Sequence, residues 1–407
     1  MFEDDLFEQY DRDVSVRTAV TQLDPRSMAL RHQLGLVGLL ALFVLPTQLY
    51  AVQVSPLTPV IYLMIFAISW DFVSGYTGQL SFGHAFFFAL GGYGTSILNI
   101  QHGVDPLVSI PIAVLLAGLG GLLIGLPAIR LQGPYLSLIT LIVPIIMAQL
   151  VILWNDSLVL SVGSFDLPIA PDGLGGESGL DTAPDPLIST EQAAVFTVEN
   201  FQMSVLGNYY LALTTMSVLL LGLLAITNSS TGTVMTAIRE NETVVAATGL
   251  NPFKFKLFAF TVSALVGGLG GALFVHSPVG FPQPDAILNL QLNIDVILVS
   301  IIGGMGTLVG PVIGAMFMEI LNQTFAKADF VIPVLGRSLD DMDPLPVLGL
   351  TVLVLYFMPG GILRQAVGRG RRLHSVTDPD ADYPAEARTP VESIIHKYRR
   401  EIRERLG

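Results

Sequence analysis

PLVSIPIAVLLAGLGGLLIGLPAIRLQGPYLSLITLIVPIIMAQLVILW, residues 106–154, contains a single charged side chain, Arg130. A lipid core asks for about 20 apolar residues per crossing helix. The stretch is long enough for two crossings, with Arg130 in the turn at 129–133 between them. Outward from it, the runs 33–70, 72–104, 200–238, 257–284 and 345–363 also lack Asp, Glu, Lys and Arg. Of 407 residues, 52% are hydrophobic and 13% charged, about half the charged share of a soluble domain. That excludes a soluble globular enzyme and a mainly disordered chain. The fold class is all-α, a polytopic transmembrane helical bundle.

Ten spans fit the apolar runs: 34–54, 57–73, 83–101, 106–128, 134–154, 207–227, 257–276, 287–304, 308–326 and 345–360. Lys and Arg near span ends orient such a bundle, because cytoplasmic loops are enriched in them. Arg12, Arg17, Arg26 and Arg31 precede the first span, and Arg364, Arg369, Arg371 and Arg372 follow the last. Arg239, Lys254 and Lys256 lie in the connector 228–256. With ten spans, these segments and Arg130 fall on one side. Both termini and 228–256 are therefore expected in the cytoplasm. The domain plan is a cytoplasmic extension at 1–33, a membrane domain at 34–360 and a cytoplasmic tail at 361–407.

The expected outer loop 155–206 carries eight acids and no Lys or Arg. Its Gly and Pro content reads as a long solvated loop, either a docking surface or a tolerated insertion. In the tail, Ile394, Ile395, Tyr398, Ile402 and Leu406 share one helical face, ringed by arginines. That helix would rest on membrane lipid, on a partner or in solvent. The net charge of −13 argues against nucleic acid. An acidic surface suits high salt, as in a halophilic archaeon, with an acidic loop in an ordinary bacterium as the plainer alternative. Cysteine is absent, so no disulfide or thiolate metal site is expected, and no cofactor.

The connector STGTVMTAIRENETVVAATGLNPFKFKL (230–257) reads as a helix of about four turns. Thr231 or Thr233 would cap its start, Gly249 would follow its end, and Asn251–Pro252 would open the next helix. Arg239, Glu240, Asn241 and Glu242 are consecutive, and they exceed what a surface helix needs for solubility. Val234, Ala237, Ile238 and Val245 form an apolar patch able to press into another subunit. An ordinary amphipathic connector is the alternative.

From Ala237 onward, AIRENETVVAATGLNPFKFKLFAFTVSALVGGLGGAL resembles the cytoplasmic coupling loop and following span of branched-chain amino acid ABC importer permeases of the LivM type. GYTGQLSFGHAFFFALGGYG (75–94), PAIRLQGPYLSLITL (127–141) and IIGGMGTLVGPVIGA (301–315) agree with the family in order. The resemblance implies a pore built with a second homologous permease subunit. It also implies ATP-binding subunits docked from the cytoplasm and an external substrate-binding protein. Carried over, Glu240, Asn241, Glu242, Ala246, Ala247 and Gly249, with Arg239 beside them, would lie at the coupling site. The chain has no GxxxxGK[ST] phosphate loop, so ATP hydrolysis would belong to a separate subunit.

Within the spans, Gly75, Gln79, Ser81 and His84 mark an interrupted stretch, either a break beside a transport path or small-residue packing around a bonded histidine. Ser81 would cap a helix starting at Phe82 or Gly83. Asp295, just inside a span, would face substrate or a neighbouring helix. Glu319 has the same ambiguity, and Asp71 reads as interfacial. Competing functions are an importer of urea, short amides or a sugar, and an ATP-independent secondary transporter. The latter predicts embedded acid–base pairs or an inverted repeat, and neither is evident in the sequence.

Overall fold

The computed structural model describes residues 38, 41–44, 46, 51–131, 134–162, 165–181, 183–184, 198–278, 280–326, 331–332, 337–338, 345–358 and 360–366. The extension at 1–33, most of the 34–54 span, the middle of the acidic loop and the tail helix lie outside them. Helices α1 (Leu57–Thr77), α2 (His84–Ser96), α3 (Pro106–Ala128) and α4 (Pro134–Leu153) come first. Next are strands β1 (Leu158–Val162) and β2 (Phe165–Ala170), then α5 (Val198–Thr227), α6 (Ser230–Ala247) and α7 (Pro252–Val275). The chain continues with α8 (Pro284–Ile287), α9 (Leu290–Gly303) and α10 (Val309–Ala326), then β3 (Val331–Ile332), β4 (Arg337–Ser338) and α11 (Leu345–Phe357).

Seven helical segments among the described residues are long and apolar enough to cross a membrane. The expectation of ten is thus approximate. Residues 84–101 divide into α2 and a π-helical turn, Ile97–Gln101, each short. Helix α10 carries Glu319, Asn322 and Gln323 in its second half, which lowers its apolarity. Helix α5 starts at Val198 instead of 207, because Glu199, Asn200 and Gln202 extend it beyond the apolar run.

Helix α1 is apolar on all sides and is accordingly buried on nearly all of them. Its Ile61, Ile65, Phe66, Ile68 and Phe72 occupy the centre of the core. Helices α2 and α7 approach so closely that a Cβ on Gly271 would lie 1.9 Å from the carbonyl oxygen of Phe88. GGLGGA (267–272) is therefore packing, and any side chain there would separate the two backbones. Helices α3 and α4 instead expose Leu107, Leu115, Leu119 and Leu123, and Leu138, Ile142 and Ile146. Such faces suit lipid.

Two described stretches of the acidic segment form strands. Strands β1 and β2 pair antiparallel, with Leu160 opposite Leu167 and Val162 opposite Phe165. The alternation in LVLSV and FDLPIA is the period-2 pattern of strands. Beyond them, Leu180 N–H donates to the Pro282 carbonyl at 3.1 Å. This joins the segment to the α7–α8 connection.

Candidate functional site

Two ends of the bundle can be told apart by what holds them. One carries α6, the other the β1–β2 hairpin. At the α6 end, the helix starts after Ser229, whose side chain makes no cap, so Thr231 and Thr233 lie inside it rather than at its start. It is not one rigid rod. Asn241 has φ −159° and ψ 101°, an extended conformation that divides it. The Asn241 Oδ1 accepts from the N–H of Thr243 (3.1 Å) and of Val244 (3.2 Å), so Asn241 caps the second piece. An asparagine in mid-helix offers the backbone this local alternative. Gly249 follows at φ +88°, and Asn251 caps α7 through the Phe253 N–H at 3.1 Å.

The apolar patch faces inward. Met235, Ile238 and Val245 are buried against the protein's own core, Val234 is half-buried, and Ala237 is exposed. The outer side presents Ala237, Glu240, Asn241, Val244, Ala246, Ala247, Gly249 and Leu250. Of the consecutive polar residues, Arg239 and Glu242 turn back to the bundle. Arg239 Nη1 donates to the Gly75 carbonyl at the end of α1. Glu242 pairs with Lys256 of α7 at 2.5 Å, and the lysine side chain is only 3% exposed.

Beside the Arg239 contact sits a group whose role the sequence hid. Asp71 is fully buried within the protein. Its carboxylate accepts from the N–H groups of Gly306 (2.6 Å), Thr307 (3.2 Å) and Leu308 (3.0 Å). Successive N–H groups of this kind form an anion-binding nest. Leu308 holds φ +57° there, uncommon for a non-glycine residue. The turn between α9 and α10 is thereby fixed to α1. Gly75 is required at the junction, since a Cβ would lie 2.3 Å from Asp71 Oδ1 and 2.6 Å from the Gly306 nitrogen.

After α1 the chain turns back along it. Ser74 Oγ donates to the Gln79 carbonyl at 3.0 Å, and Trp70 Nε1 donates to the Ser81 carbonyl at 2.6 Å. Helix α2 therefore starts beside Ser69, about 12 Å back from the end of α1. Its first residue is His84, two positions beyond the earliest expected start, with Gly83 at the N-cap. Ser81 accepts from the Gly83 N–H at 3.3 Å. Non-helical backbone at membrane depth needs such partners. The Phe82 N–H finds Thr140 Oγ1 at 3.1 Å, and the Ala85 N–H finds Asn293 Oδ1 at 2.9 Å. His84 Nδ1 meets Ser81 Oγ at 3.1 Å, and Nε2 meets Ser263 Oγ of α7 at 2.5 Å. Ser263 in turn donates to the Ser69 carbonyl at 2.5 Å.

Of the residues singled out in the sequence, Gly75, Ser81 and His84 thus lie around one interruption. Gln79 is half-buried there, and its Oε1 has no hydrogen-bond partner. Asp295 stands apart on α9, half-buried, accepting from Gln291 Nε2 of its own helix at 2.8 Å. Glu319 likewise accepts from Gln323 one turn along α10, at 2.8 Å.

The hairpin end is held by hydroxyls, amides and imidazoles. Thr95 Oγ1 contacts Ser109 Oγ (2.8 Å) and His276 Nε2 (2.9 Å), and Asn99 Nδ2 donates to Ser109 Oγ at 2.8 Å. Gln101 donates to the Gly173 carbonyl at 2.7 Å, and His102 Nε2 contacts that of Ile169 at 3.0 Å.

Residues 54–355 match the model of the family described as branched-chain amino acid transport system / permease component. The high-affinity branched-chain amino acid transport system permease protein LivM of Escherichia coli K12 is 27% identical over 348 residues, 82% of this chain and 75% of that protein. A probable branched-chain amino acid transport permease LivM from Methanocaldococcus jannaschii is 24% identical over 323 residues, covering 77% and 81%. A ribose import permease, RbsC of Haemophilus influenzae, is 33% identical over 97 residues, 23% of this chain and 30% of that one. No solved structure matches the chain.

Proposed function

The chain belongs to the branched-chain amino acid transport permease family, and from that membership we propose that it is the membrane-spanning subunit of an ATP-driven importer of leucine, isoleucine and valine. ATP-binding subunits and a substrate-binding protein complete the complex, with a second homologous permease beside this one. Hydrolysis is carried out by the ATP-binding subunits. The two ends then take opposite sides. The α6 end, with both termini, faces the cytoplasm, and the hairpin end faces outward. The basic side chains Arg130, Arg239, Lys254 and Lys256 near the α6 end support this orientation.

The observation that carries the coupling role is the pair of charged links from α6 into the bundle. ATP-driven closure moves whatever sits on the outer side of α6, namely Ala237, Glu240, Asn241, Val244, Ala246, Ala247 and Gly249. Arg239 passes that displacement to the end of α1, where Asp71 holds the 306–308 turn. Glu242 passes it through Lys256 to α7. Helix α7 holds His84, the first residue of α2, through Ser263. One link therefore ends on backbone just before the interruption and the other on the His84 side chain just after it, and packed cores transmit such shifts rather than absorb them.

Uptake of labelled leucine, isoleucine and valine by cells with and without this subunit tests the cargo. All three should depend on it in a host lacking other systems. Loss of ribose or urea uptake, with the three unaffected, would favour the other cargoes. Because the chain contains no cysteine, a Cys introduced at Ser229 should escape an impermeant thiol reagent in intact cells. Labelling there would reverse the orientation.

A further inference from the structure

Buried polar groups without a partner are uncommon, and each calls for an explanation. Several lie along one side of α2. Ser96 Oγ and Tyr93 OH, towards its far end, have no hydrogen-bond partner among the described residues, and the two residues are 0% and 3% exposed. Asn293 Nδ2 also has none, in a residue 2% exposed. The other end of that same amide accepts from the Ala85 N–H, so Nδ2 sits at the first turn of α2.

These groups share a seam. A Cβ on Gly92 would lie 3.1 Å from Ile287 of α8, and Ala85 meets Asn293 of α9. Ala85, Gly92 and Ser96 recur at helical spacing on one face of α2, and Tyr93 flanks that face. The α8–α9 segment runs antiparallel along it. The seam therefore leads from the hairpin end to the membrane-depth start of α2.

The start of α2 is the positive end of a helix dipole. Its Gly83, Ala85 and Phe86 N–H groups already have acceptors, and Asp295 of α9 accepts from Gln291 of its own helix. Asn293 Nδ2 adds a donor. The nearby buried carboxylate, Asp71, is engaged by three N–H groups on the α9–α10 turn.

We propose that the seam between α2 and α8–α9 is the substrate path, and that the Asn293 amide at the α2 N-terminus receives the carboxylate of a passing α-amino acid. The proposal rests on the amino-acid cargo stated above. Nδ2 donates to the carboxylate, while Oδ1 keeps the Ala85 N–H. The Tyr93 and Ser96 hydroxyls, which donate or accept, serve the polar end of the substrate on its way in.

Asn293→Asp separates this role from capping. An aspartate keeps an acceptor for Ala85 at unchanged size and replaces the donor by oxygen. In the assembled complex with its ATP-binding and substrate-binding partners, N293D should import leucine about tenfold more slowly or worse, the fold-change carried by one hydrogen bond to a charged group. Yield of folded complex is measured beside import, so that a folding defect is told apart from a transport defect. Import at the wild-type rate would reduce Asn293 to a cap and overturn the proposal. Should N293D fail to assemble, Tyr93→Phe decides. It removes a hydroxyl that bonds nothing among the described residues, so a structural role predicts unchanged import and the path predicts slower import. A wild-type complex that imports no branched-chain amino acid overturns the cargo and the seam together. A wild-type complex that imports leucine beside an equally active N293D overturns the seam alone.

Discussion

The α6 end is fastened by charged side chains and the hairpin end by hydroxyls, amides and imidazoles. Asp71, Arg239, Glu242 and Lys256 each bind across elements at the first end. Thr95, Asn99, Ser109 and His276 do so at the second. Hydrogen bonds to ionised groups are shorter and roughly twice as strong as neutral ones. The first end is therefore the more firmly fastened of the two.

Removing the charge at its deepest point should have the largest effect. Asp71→Ala leaves three buried N–H groups without their acceptor. Each buried donor left unsatisfied costs about 1–3 kcal/mol, so a large drop in thermal unfolding temperature or in accumulated protein is expected. An unaltered unfolding temperature would remove Asp71 from the account. Gly75→Ala comes next, because its Cβ enters the space of Asp71 and Gly306. Overpacking of this kind costs about 1–3 kcal/mol, and the variant should lose import before it loses its fold. At the hairpin end, Ser109→Ala removes three hydrogen bonds between uncharged groups and should cost about 1 kcal/mol with import retained. A Ser109→Ala defect as deep as that of Asp71→Ala would erase the contrast between the ends.

Much of this was legible in the sequence, for local reasons. Uncharged runs placed the helices, because an apolar run has few uses besides a span. Gly249 and the Asn251–Pro252 start of α7 were readable, since caps depend on adjacent residues. Asn241 was missed as a break because its neighbours are good helix formers. The β1–β2 hairpin was masked by the Gly, Pro and acid content of the surrounding segment, although its alternation is plain. Asp71 lay beyond reach for another reason. Its partners are 235–237 positions away, and no periodicity relates them. The turn at 301–315 was noticed as glycine-rich without the carboxylate that explains it. Likewise, nothing local told that Arg239 and Glu242 turn inward while Glu240 turns out.

The central claim is that α6 drives the bundle through Arg239. Its most direct test is the number of leucine molecules imported per ATP hydrolysed by the reconstituted complex carrying Arg239→Gln. The side chain is half-buried and donates to the Gly75 carbonyl, so the fold should survive its replacement. The account predicts that ATP hydrolysis continues and import per ATP collapses. An unchanged ratio would mean that α6 moves the bundle by some other contact, and would contradict the account.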